Sequence, residues 1–378
     1  MVRLLLRPIE FALLGLIGYN LAVALFGWRD RPSAPRAIGS VRRFRVVIPA
    51  HNEARVIGSL LGDLAEASGR MPSEVVVIAD HCTDETTNLA RKAGVTVAER
   101  TEGSGGKGAA LSWYLDDSPL ADDEALVVLD ADNRVPEDLL ERFNDELAAG
   151  HSVLQAYLGI SNPDASPLAT ASALSYWASN RMVQLARRNL GWTADLGGTG
   201  MCIASEALEA VGGFGTSFAE DQELGVKLFE AGHTVTWLHD VRILDEKPAD
   251  VGVAVRQRSR WAAGRSQVAR EHVLRLIRTG RPAAIDLAIR LVQPSRMGVA
   301  VLSAALAGAS ALGAPTMGFG AWSLATVLQV TAPIGFLWRE GVERRHLVKY
   351  PVLTVLPLLK LPARLIRRRG WYHTPHSG

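Results

Sequence analysis

The chain has 378 residues, 48% of them hydrophobic, and a formal net charge of only +2. This near balance argues against a nucleic-acid-binding protein, which would concentrate basic residues on one face. The two cysteines, Cys82 and Cys202, are far apart and lack the spacing of zinc ligands, so neither a disulfide framework nor a zinc site is expected. A reduced cytoplasmic domain with buried thiols fits this usage, and the length allows one catalytic domain with smaller appendages.

The first predicted element is a membrane helix near the N-terminus. Residues 11–28 carry no charge and approach the length that spans a bilayer. A cleaved signal peptide is the alternative, but no small-residue cleavage site follows Trp28, and the chain continues into Arg29 and Arg31. Residues 1–40 are therefore predicted to form an uncleaved anchor with a basic linker.

Residues 41–250 alternate short apolar strands with helices. Strands are expected at 45–49, 74–79, 95–97 and 125–129, and helices at 54–68, 84–93 and 107–115. This alternation is typical of an α/β fold in which helices cover both faces of a mostly parallel sheet. In such sheets, ligands bind beyond the carboxyl ends of the strands.

Acid and amide side chains follow three of these strands. They are Asn52 and Glu53 after the first, Asp80 after the second, and Asp130 and Asp132 after the fourth. A helix cap would explain any one of them, but their coincidence at one edge of the sheet indicates a ligand site. Two carboxylates one residue apart can share a divalent ion with diphosphate oxygens, although a lone Asp-x-Asp triplet also occurs by chance.

Two glycine-rich segments could bring backbone close to a ligand. Residues 103–108 open a helix and contain Lys107, so glycine backbone, a helix N-terminus and a cation would together favour an anion. The spacing is not that of a Walker loop, and a flexible linker is the alternative. Residues 196–201 form either a second ligand-contacting turn or a tight bend between strand and helix.

Two later segments carry polar residues at helical spacing. Glu220 and Asp221 lie at a predicted helix start, where acidic residues are also ordinary first-turn groups. In the Gln-x-x-Arg-Trp segment, Gln257 shares one helical face with Arg260 or with Trp261. A solvated basic helix is the alternative for this segment.

The longest uncharged stretch lies in the C-terminal third. No Asp, Glu, Lys or Arg lies between Arg296 and Arg339, and glycine and proline break the run near its middle. The pattern predicts a transmembrane hairpin over 296–338, with helices near 297–313 and 318–338. A buried core hairpin would share this pattern.

Positive charge predicts the orientation of these spans. Arginines follow the first span and flank the pair, whereas the turn within the pair is uncharged, so the central domain and the tail should share the cytoplasmic side. Residues 251–295 are expected to join the domain to the membrane as interfacial helices. In the tail, 339–378, the stretch 350–366 mixes apolar residues with basic residues and prolines and is predicted to lie on the membrane surface. The expected location is multi-pass in the cell membrane.

Six segments, in this order, carry a family resemblance: VVIPAHNE, VVVIADHCTD, GGKGAAL, VVLDADN, FAEDQEL and QRSRW. Together they cover about 45–261 and resemble the family 2 glycosyltransferases, with their GT-A fold. The Gln-x-x-Arg-Trp segment and the flanking spans are similar to the membrane-bound branch that includes polysaccharide synthases and ceramide glucosyltransferases. Ala219 stands where a threonine usually precedes the Glu-Asp pair, a departure that bears on an acceptor contact of some polymerising relatives.

The resemblance implies a role for each candidate residue. The donor, a nucleotide sugar, would contact Pro49, Asn52, Glu53, Asp80, Lys107, Asp130, Gln257, Arg260 and Trp261. Asp80 would face a uracil ring, and Asp130 and Asp132 would hold Mg²⁺ or Mn²⁺ together with the diphosphate. Asp221 would be the general base, with Glu220 beside it.

The predicted activity is sugar transfer, with inversion at the anomeric carbon, from a nucleoside-diphosphate sugar that is expected to be a UDP-sugar. A carboxylate that binds no metal must deprotonate the acceptor hydroxyl, and Asp221 can do so. The expected acceptor is a lipid or a membrane-proximal glycan, with processive exopolysaccharide synthesis as the main alternative. A sugar nucleotidyltransferase would not need the membrane helices, and a dinucleotide-binding oxidoreductase would need GxGxxG after the first strand.

Overall fold

The computed structural model describes residues 2–37, 42–69, 71–215, 217, 219–247 and 251–350, with the backbone alone for 2–6 and 251–258. At its centre lies a seven-stranded sheet. The strands are β1 (Arg43–Ala50), β2 (Ser73–Asp80), β3 (Thr96–Arg100), β4 (Glu124–Val128), β5 (Val153–Ile160), β6 (Met201–Ala204) and β7 (Val235–Asp245).

In space the strands follow the order β3-β2-β1-β4-β6-β5-β7. β6 runs antiparallel to its neighbours β4 and β5, whereas the other pairings between described strands are parallel. The predicted α/β fold with a mostly parallel sheet is confirmed.

Helices flank the sheet and build the apolar end of the molecule. They are α1 (Val2–Leu25), α2 (Ile57–Ser68), α3 (Thr86–Lys92), α4 (Lys107–Asp117), α5 (Leu139–Ala148), α6 (Pro167–Ser179), α7 (Ala186–Leu190), α8 (Ser205–Glu209), α9 (Glu220–Glu230), α10 (Val251–Arg278), α11 (Pro282–Val292), α12 (Arg296–Ala311), α13 (Phe319–Arg339) and α14 (Arg344–Leu347). A 3-10 turn (Phe26–Trp28) follows α1, and a π-helix (Asn180–Leu185) joins α6 to α7. The helices predicted early in the central domain are present as α2, α3 and α4.

The side chains of β1 alternate between two buried cores. Val46 and Ile48 pack on one face of the sheet with Phe143 of α5, and Val47 packs on the other face with Leu111 of α4. All five are essentially inaccessible to solvent. Because successive strand side chains point to opposite faces, a sheet covered on both sides requires continuously apolar strands, as this sequence has.

The apolar end of the molecule is built from α1, α12 and α13. Ile17, Val299 and Trp322, one from each helix, share a small core, and the Trp322 indole donates to Glu10 Oε1 at 3.2 Å. The predicted helices of the C-terminal hairpin are thus present as α12 and α13. The prediction for 350–366 falls beyond Tyr350, outside the described residues.

Two helical stretches, Arg7–Trp28 and Phe319–Arg339, are long and apolar enough to cross a bilayer, by length and composition alone. With 16 residues, α12 is shorter than the roughly 20 that a span usually needs. Large apolar side chains on the two longer helices face outwards: Phe11 is 61% exposed and Leu324 is 60% exposed. Neither helix therefore resembles the buried central helix of a water-soluble core.

A buried ion network ties α1 to the α/β domain. Asp286 of α11 has no exposed surface and accepts hydrogen bonds from Arg187 at 2.8 and 3.0 Å and from Arg290 at 3.0 Å. Its Oδ1 also accepts a hydrogen bond from the hydroxyl of Tyr19 of α1 at 2.6 Å. Burial raises the pKa of this carboxyl, but the two guanidiniums outweigh burial and hold the pKa below its usual value.

Candidate active site

The two acidic residues predicted to hold a metal lie on a tightly held turn after β4. The Asp130 N–H donates to Asn133 Oδ1 at 3.1 Å and to Thr199 Oγ1 at 2.9 Å, and the Thr199 hydroxyl donates to the same Asn133 oxygen. Asn133 and Thr199 are buried. The Asp130 side chain, in contrast, is 40% exposed, and Asp132 is half-buried. Buried hydrogen bonds therefore hold the backbone of the turn, while its two carboxylates remain accessible to a ligand.

Lys107 joins this turn from the glycine-rich segment. It is the first residue of α4, and its ammonium forms an ion pair with the Asp130 carboxylate. Gly106, before it, has a φ of +129°, and its N–H donates to Asp80 Oδ2 at 3.2 Å. The segment is held against the ends of β2 and β4, which is not the behaviour of a flexible linker.

Asp80 lies at the end of β2 and is only 3% exposed. Arg100 donates to its Oδ1 at 2.7 Å, and the His81 Nδ1 donates to the same oxygen at 2.8 Å. Arg100 also donates to the Ser104 carbonyl at 2.8 Å. Asp80 therefore anchors the glycine-rich segment in this structure, and its contact with a uracil ring stays a prediction.

The end of β1 carries Pro49, and Asn52 and Glu53 follow in the next turn. Asn52 has a φ of +57° and His81, after β2, a φ of +53°; they are the non-glycine residues with positive φ in the described chain. Asn52 Oδ1 accepts the Thr83 N–H at 2.7 Å, which locks the two turns together. Such left-handed residues are costly, and they cluster at functional sites.

Asp221 and Glu220 occupy the first turn of α9. Burial, followed by the charge of Glu220, raises the pKa of Asp221 to about 7, and Lys107 offsets part of this effect. A methyl group added at Gly108, next to Lys107, would lie 3.1 Å from the Glu220 Cβ, so the starts of α4 and α9 touch. Lys107 thus pairs with the acidic turn after β4 at the point where α4 touches the first turn of α9.

The loop 196–200 closes the site opposite α9. Gly198 has a φ of +79°, and a methyl group there would lie 3.4 Å from Asp221 Oδ2. Thr199, next in the chain, holds the turn of Asp130. The segment is a tight bend, but it leads from α7 into β6 and not from a strand into a helix; it touches Asp221, and its contact with a ligand stays a prediction.

The Gln-x-x-Arg-Trp segment lies on α10, which packs against α9. The Gln257 side chain is outside the described residues. Arg260 is half-buried, and its Nε has no hydrogen-bond partner among the described residues; Trp261 is 37% exposed. The structure therefore places this segment on a helix that packs against the one carrying Asp221, and it leaves the Arg260 Nε–H without a partner among the described residues.

Sequence reasoning missed one cation, Lys247, which follows β7. Its ammonium is buried, pairs with Asp245 and lies 4.5 Å from the centre of the Tyr176 ring. Burial opposes its charge, but Asp245, Tyr176 and Asp132 together raise its pKa above the usual value. The sequence around Lys247 contains no motif that would mark it as a site residue. Its nearness to Asp132 depends on β7, which is distant in the chain from the acidic turn.

The acidic turn is suited to a divalent ion whose remaining ligands come from the diphosphate of the substrate. Among the described residues, no group of three or more His, Cys, Asp or Glu side chains could hold a metal by itself. Asp130 and Asp132 supply two carboxylates, the number that Mg²⁺ commonly uses when substrate phosphates complete its coordination. The residues therefore fit a shared metal–diphosphate site.

The family profile described as "Glycosyltransferase like family 2" matches residues 42–264. The match covers more than half of the chain and includes the whole sheet and every predicted site residue. The chain belongs to the family 2 glycosyltransferases. The predicted family and enzyme class are confirmed.

Two curated relatives of this glycosyltransferase are beta-monoglucosyldiacylglycerol synthases. The protein of Synechocystis sp. is 28% identical over 242 residues, which cover 58% of this chain and 47% of the relative. The protein of Nostoc sp. is 27% identical over 254 residues, covering 60% and 49%. The glycosyltransferase thus spans about half the length of the curated relatives it matches.

A solved structure shares the fold. It is the mannosyltransferase PcManGT from Pyrobaculum calidifontis, in complex with GDP-Man and Mn²⁺. The TM-score is 0.62 at 20% sequence identity, and the match covers 94% of this chain and 99% of that chain. At this identity the likeness extends to the fold, and the GT-A architecture implied by the sequence resemblance is confirmed.

Gly198→Ala is expected to lower kcat/KM of this glycosyltransferase by about tenfold, because the new methyl group strains the positive φ of a loop whose added Cβ would touch the Asp221 carboxylate. Initial rates at several donor concentrations measure the effect. Gly94→Ala is the matched control, since Gly94 has a similar φ of +75° but no atom near its added Cβ. Equal losses in the two variants would mean that the loss does not depend on the position of Gly198 beside Asp221.

Proposed function

We propose that the protein transfers a sugar from a nucleoside-diphosphate sugar to a membrane lipid, with inversion at the anomeric carbon and with Asp221 as general base. This assignment rests on one observation: the turn that carries Glu220 and Asp221 touches the start of α4, where Lys107 pairs with Asp130 of the acidic turn. Burial and Glu220 raise the pKa of Asp221 to about 7. A base with a pKa near the working pH can be ionised and still accept a proton. The donor is expected to be a UDP-sugar, from the sequence resemblance.

In the proposed reaction, the acceptor hydroxyl loses its proton to Asp221 Oδ2 or Oδ1 as its oxygen attacks the anomeric carbon from the face opposite the leaving group. The bond from that carbon to the diphosphate oxygen breaks, and negative charge grows on the diphosphate. Lys107 and Arg260 are assigned to stabilise this charge, and a bound Mg²⁺ or Mn²⁺ at Asp130 and Asp132 would supply further Lewis-acid stabilisation.

Pro49, Asn52, Glu53 and Asp80 are assigned to the nucleotide, at the ends of β1 and β2. The locked turns after these strands support the assignment, because a preorganised pocket needs no reordering when the ligand binds. Gln257 and Trp261 are assigned to the donor with Arg260, and Glu220 is assigned to raise the pKa of Asp221.

A lipid acceptor is supported by the relatives and by the apolar helices. The two curated relatives from Synechocystis sp. and Nostoc sp. are named for a diacylglycerol product. The outward apolar side chains of α1 and α13 would suit contact with lipid, and the arginine pattern would keep the catalytic domain on the cytoplasmic side. We therefore assign the protein to the cell membrane as a multi-pass enzyme with α1, α12 and α13 inserted.

Processive exopolysaccharide synthesis is the second candidate, because the Gln-x-x-Arg-Trp segment resembles that of polymerising enzymes. Among the described helices only two are long and apolar enough to span a bilayer, few for one chain to enclose a polymer channel. This observation favours a single transfer.

A donor and acceptor panel tests the proposal. Membranes containing the protein are incubated with UDP- and GDP-sugars, with 1,2-diacylglycerol or endogenous glycan, and with Mg²⁺, Mn²⁺ or chelator. The expected product is a lipid with one sugar of inverted anomeric configuration, identified by mass spectrometry and NMR. Long glycan chains, or a retained configuration, would contradict the proposal.

Asp132→Asn is expected to raise the Mn²⁺ or Mg²⁺ concentration for half-maximal activity by at least about tenfold, because it removes one of two charged ligands. Metal titrations at fixed donor concentration measure the change. Asp117→Asn, an exposed carboxylate at the far end of α4, is the control. An unchanged metal requirement in Asp132→Asn would exclude Asp132 as a metal ligand.

A further inference from the structure

A cavity lies against Gln222, the residue that follows the candidate base Asp221. It is lined by parts of the π-helix, the 194–196 loop, α9, α10 and α11. We propose that it receives the hydroxyl-bearing head of an uncharged lipid acceptor and that Gln222 selects this head. The proposal rests on the proposed function and deepens it.

One end of the cavity lies beside the base. Gln222 follows Asp221 in α9 and lines the cavity, and its N–H donates to Asp221 Oδ1 at 2.7 Å. Leu196, which leads into the glycine loop beside the Asp221 carboxylate, lines it as well. The cavity wall therefore includes the residue that follows the proposed base in the chain and a residue that leads into the loop touching its carboxylate.

Gln222 also has an unused hydrogen-bonding group. Its Oε1 is buried and has no partner among the described residues. A buried amide oxygen without a donor is unfavourable, and most such atoms in folded proteins find one. A lipid hydroxyl can donate to this oxygen, so the side chain is suited to read a hydroxylated head.

The other end of the cavity reaches the N-terminal helix. Gln293, after α11, lines the cavity, and its Oε1 accepts the Asn20 side-chain N–H of α1 at 2.9 Å. Leu287 and Leu291 of α11 form an apolar wall. The lining thus combines amide side chains at both ends, Gln222 and Gln293, with an apolar wall, a composition that suits an amphipathic molecule.

The charges on the wall are engaged by protein groups. Arg290 donates to Asp286 at 3.0 Å and to the Thr193 carbonyl at 2.8 Å, and it forms an ion pair with Asp195. Arg265, the other cation of the lining, also has an interaction of its own. A phosphorylated head would have to displace these partners, whereas an uncharged polyol head would need only the amide groups.

Gly225→Leu tests the cavity directly. Gly225 lines it from α9, and an added Cβ would lie 3.8 Å from the Leu196 side chain, so the backbone tolerates a side chain that then fills the space. The KM for 1,2-diacylglycerol in mixed detergent micelles is expected to rise about tenfold, while the Kd for UDP changes by less than about twofold. Gly62→Leu, a helical glycine facing open space on α2, is the matched control and should alter neither value.

Gln222→Leu keeps the proposal testable if Gly225→Leu does not fold. Loss of one hydrogen bond to the lipid hydroxyl is expected to raise the diacylglycerol KM about three- to tenfold. Phosphatidylglycerol, which carries free hydroxyls beside a charged phosphate, should be a poorer acceptor than diacylglycerol for the wild-type enzyme in the same micelles.

The outcomes separate this inference from the proposed function. A wild-type enzyme that makes no glycolipid overturns the lipid-transfer function, and this inference with it. A wild-type enzyme that makes glycolipid, with an unchanged diacylglycerol KM in both variants, overturns the cavity assignment alone. A preference for phosphatidylglycerol over diacylglycerol would overturn the assignment of an uncharged lipid head.

Discussion

Replacing Asp221 with asparagine is expected to lower kcat by about a thousandfold, because a positioned general base typically contributes a factor of that order. Asparagine has nearly the same shape and cannot accept the acceptor proton. Single-turnover rates with saturating donor and lipid acceptor measure the loss, and UDP binding by calorimetry should be nearly unchanged. Full activity in this variant would exclude Asp221 as the base.

Glu220→Gln is the matched control, since it removes one carboxylate from the same helical turn. It is expected to retain most of kcat, because Glu220 is proposed to act on the pKa of Asp221 rather than on the substrate. A thousandfold loss in Glu220→Gln, with little loss in Asp221→Asn, would reverse the two assignments.

The pH dependence gives a second measurement on the same pair. Only ionised Asp221 can act as a base, so kcat/KM should fall as the pH drops through about 7, the value to which burial and Glu220 raise this pKa. Removing the neighbouring negative charge in Glu220→Gln lowers the pKa of Asp221 and should move the acidic limb to lower pH. If the acidic limb of the kcat/KM profile does not move in Glu220→Gln, a group other than Asp221 controls that limb.

The largest effect on stability is expected for Asp286→Asn. This substitution leaves Arg187 and Arg290 buried without their shared carboxylate and weakens the hydrogen bond to Tyr19. Removing one partner of a buried ion pair typically lowers the free energy of unfolding by about 3–5 kcal/mol. Thermal unfolding in detergent, followed by circular dichroism, should show a clearly lower midpoint.

The control for this prediction is Asp123→Asn. Asp123 forms an ion pair with Arg43 at 2.9 Å, but both side chains are more than half exposed, and such pairs contribute little. Its unfolding midpoint should match that of the wild type. Equal midpoints for Asp286→Asn and Asp123→Asn would show that the buried network does not stabilise the fold.

Much of the first half of the domain is predictable from the sequence. The runs 45–49, 74–79 and 125–129 are short, apolar and rich in β-branched residues, and they form β1, β2 and β4. The later strands are less predictable. β6 has only four residues and pairs with β4 and β5 in the antiparallel direction, a pairing that depends on tertiary structure.

The candidate site shows the same division between local and distant contacts. Asp130 and Asp132 are recognisable from their position after a strand, because the carboxyl ends of parallel strands meet at one edge. The partners that orient the site are not recognisable in this way. Arg100 has no local motif and reaches Asp80 because β3 pairs with β2. Lys247 pairs with Asp245, two residues before it, but only the tertiary structure brings it near Asp132.

The docking of the N-terminal helix has a practical consequence for preparing the enzyme. A catalytic fragment begun at residue 42 would lack the Tyr19 hydroxyl, which donates a hydrogen bond to Asp286. It would also lack the backbone carbonyls of Phe26 and Arg29, to which the Asn189 side chain donates at 2.7 and 2.9 Å. It would also expose the backbone of Arg181, against which Gly27 packs so closely that an added Cβ would lie 2.0 Å from the carbonyl oxygen. Shortening the chain to gain water solubility would therefore remove part of the folded enzyme, and purification for crystallisation should retain the helix in detergent.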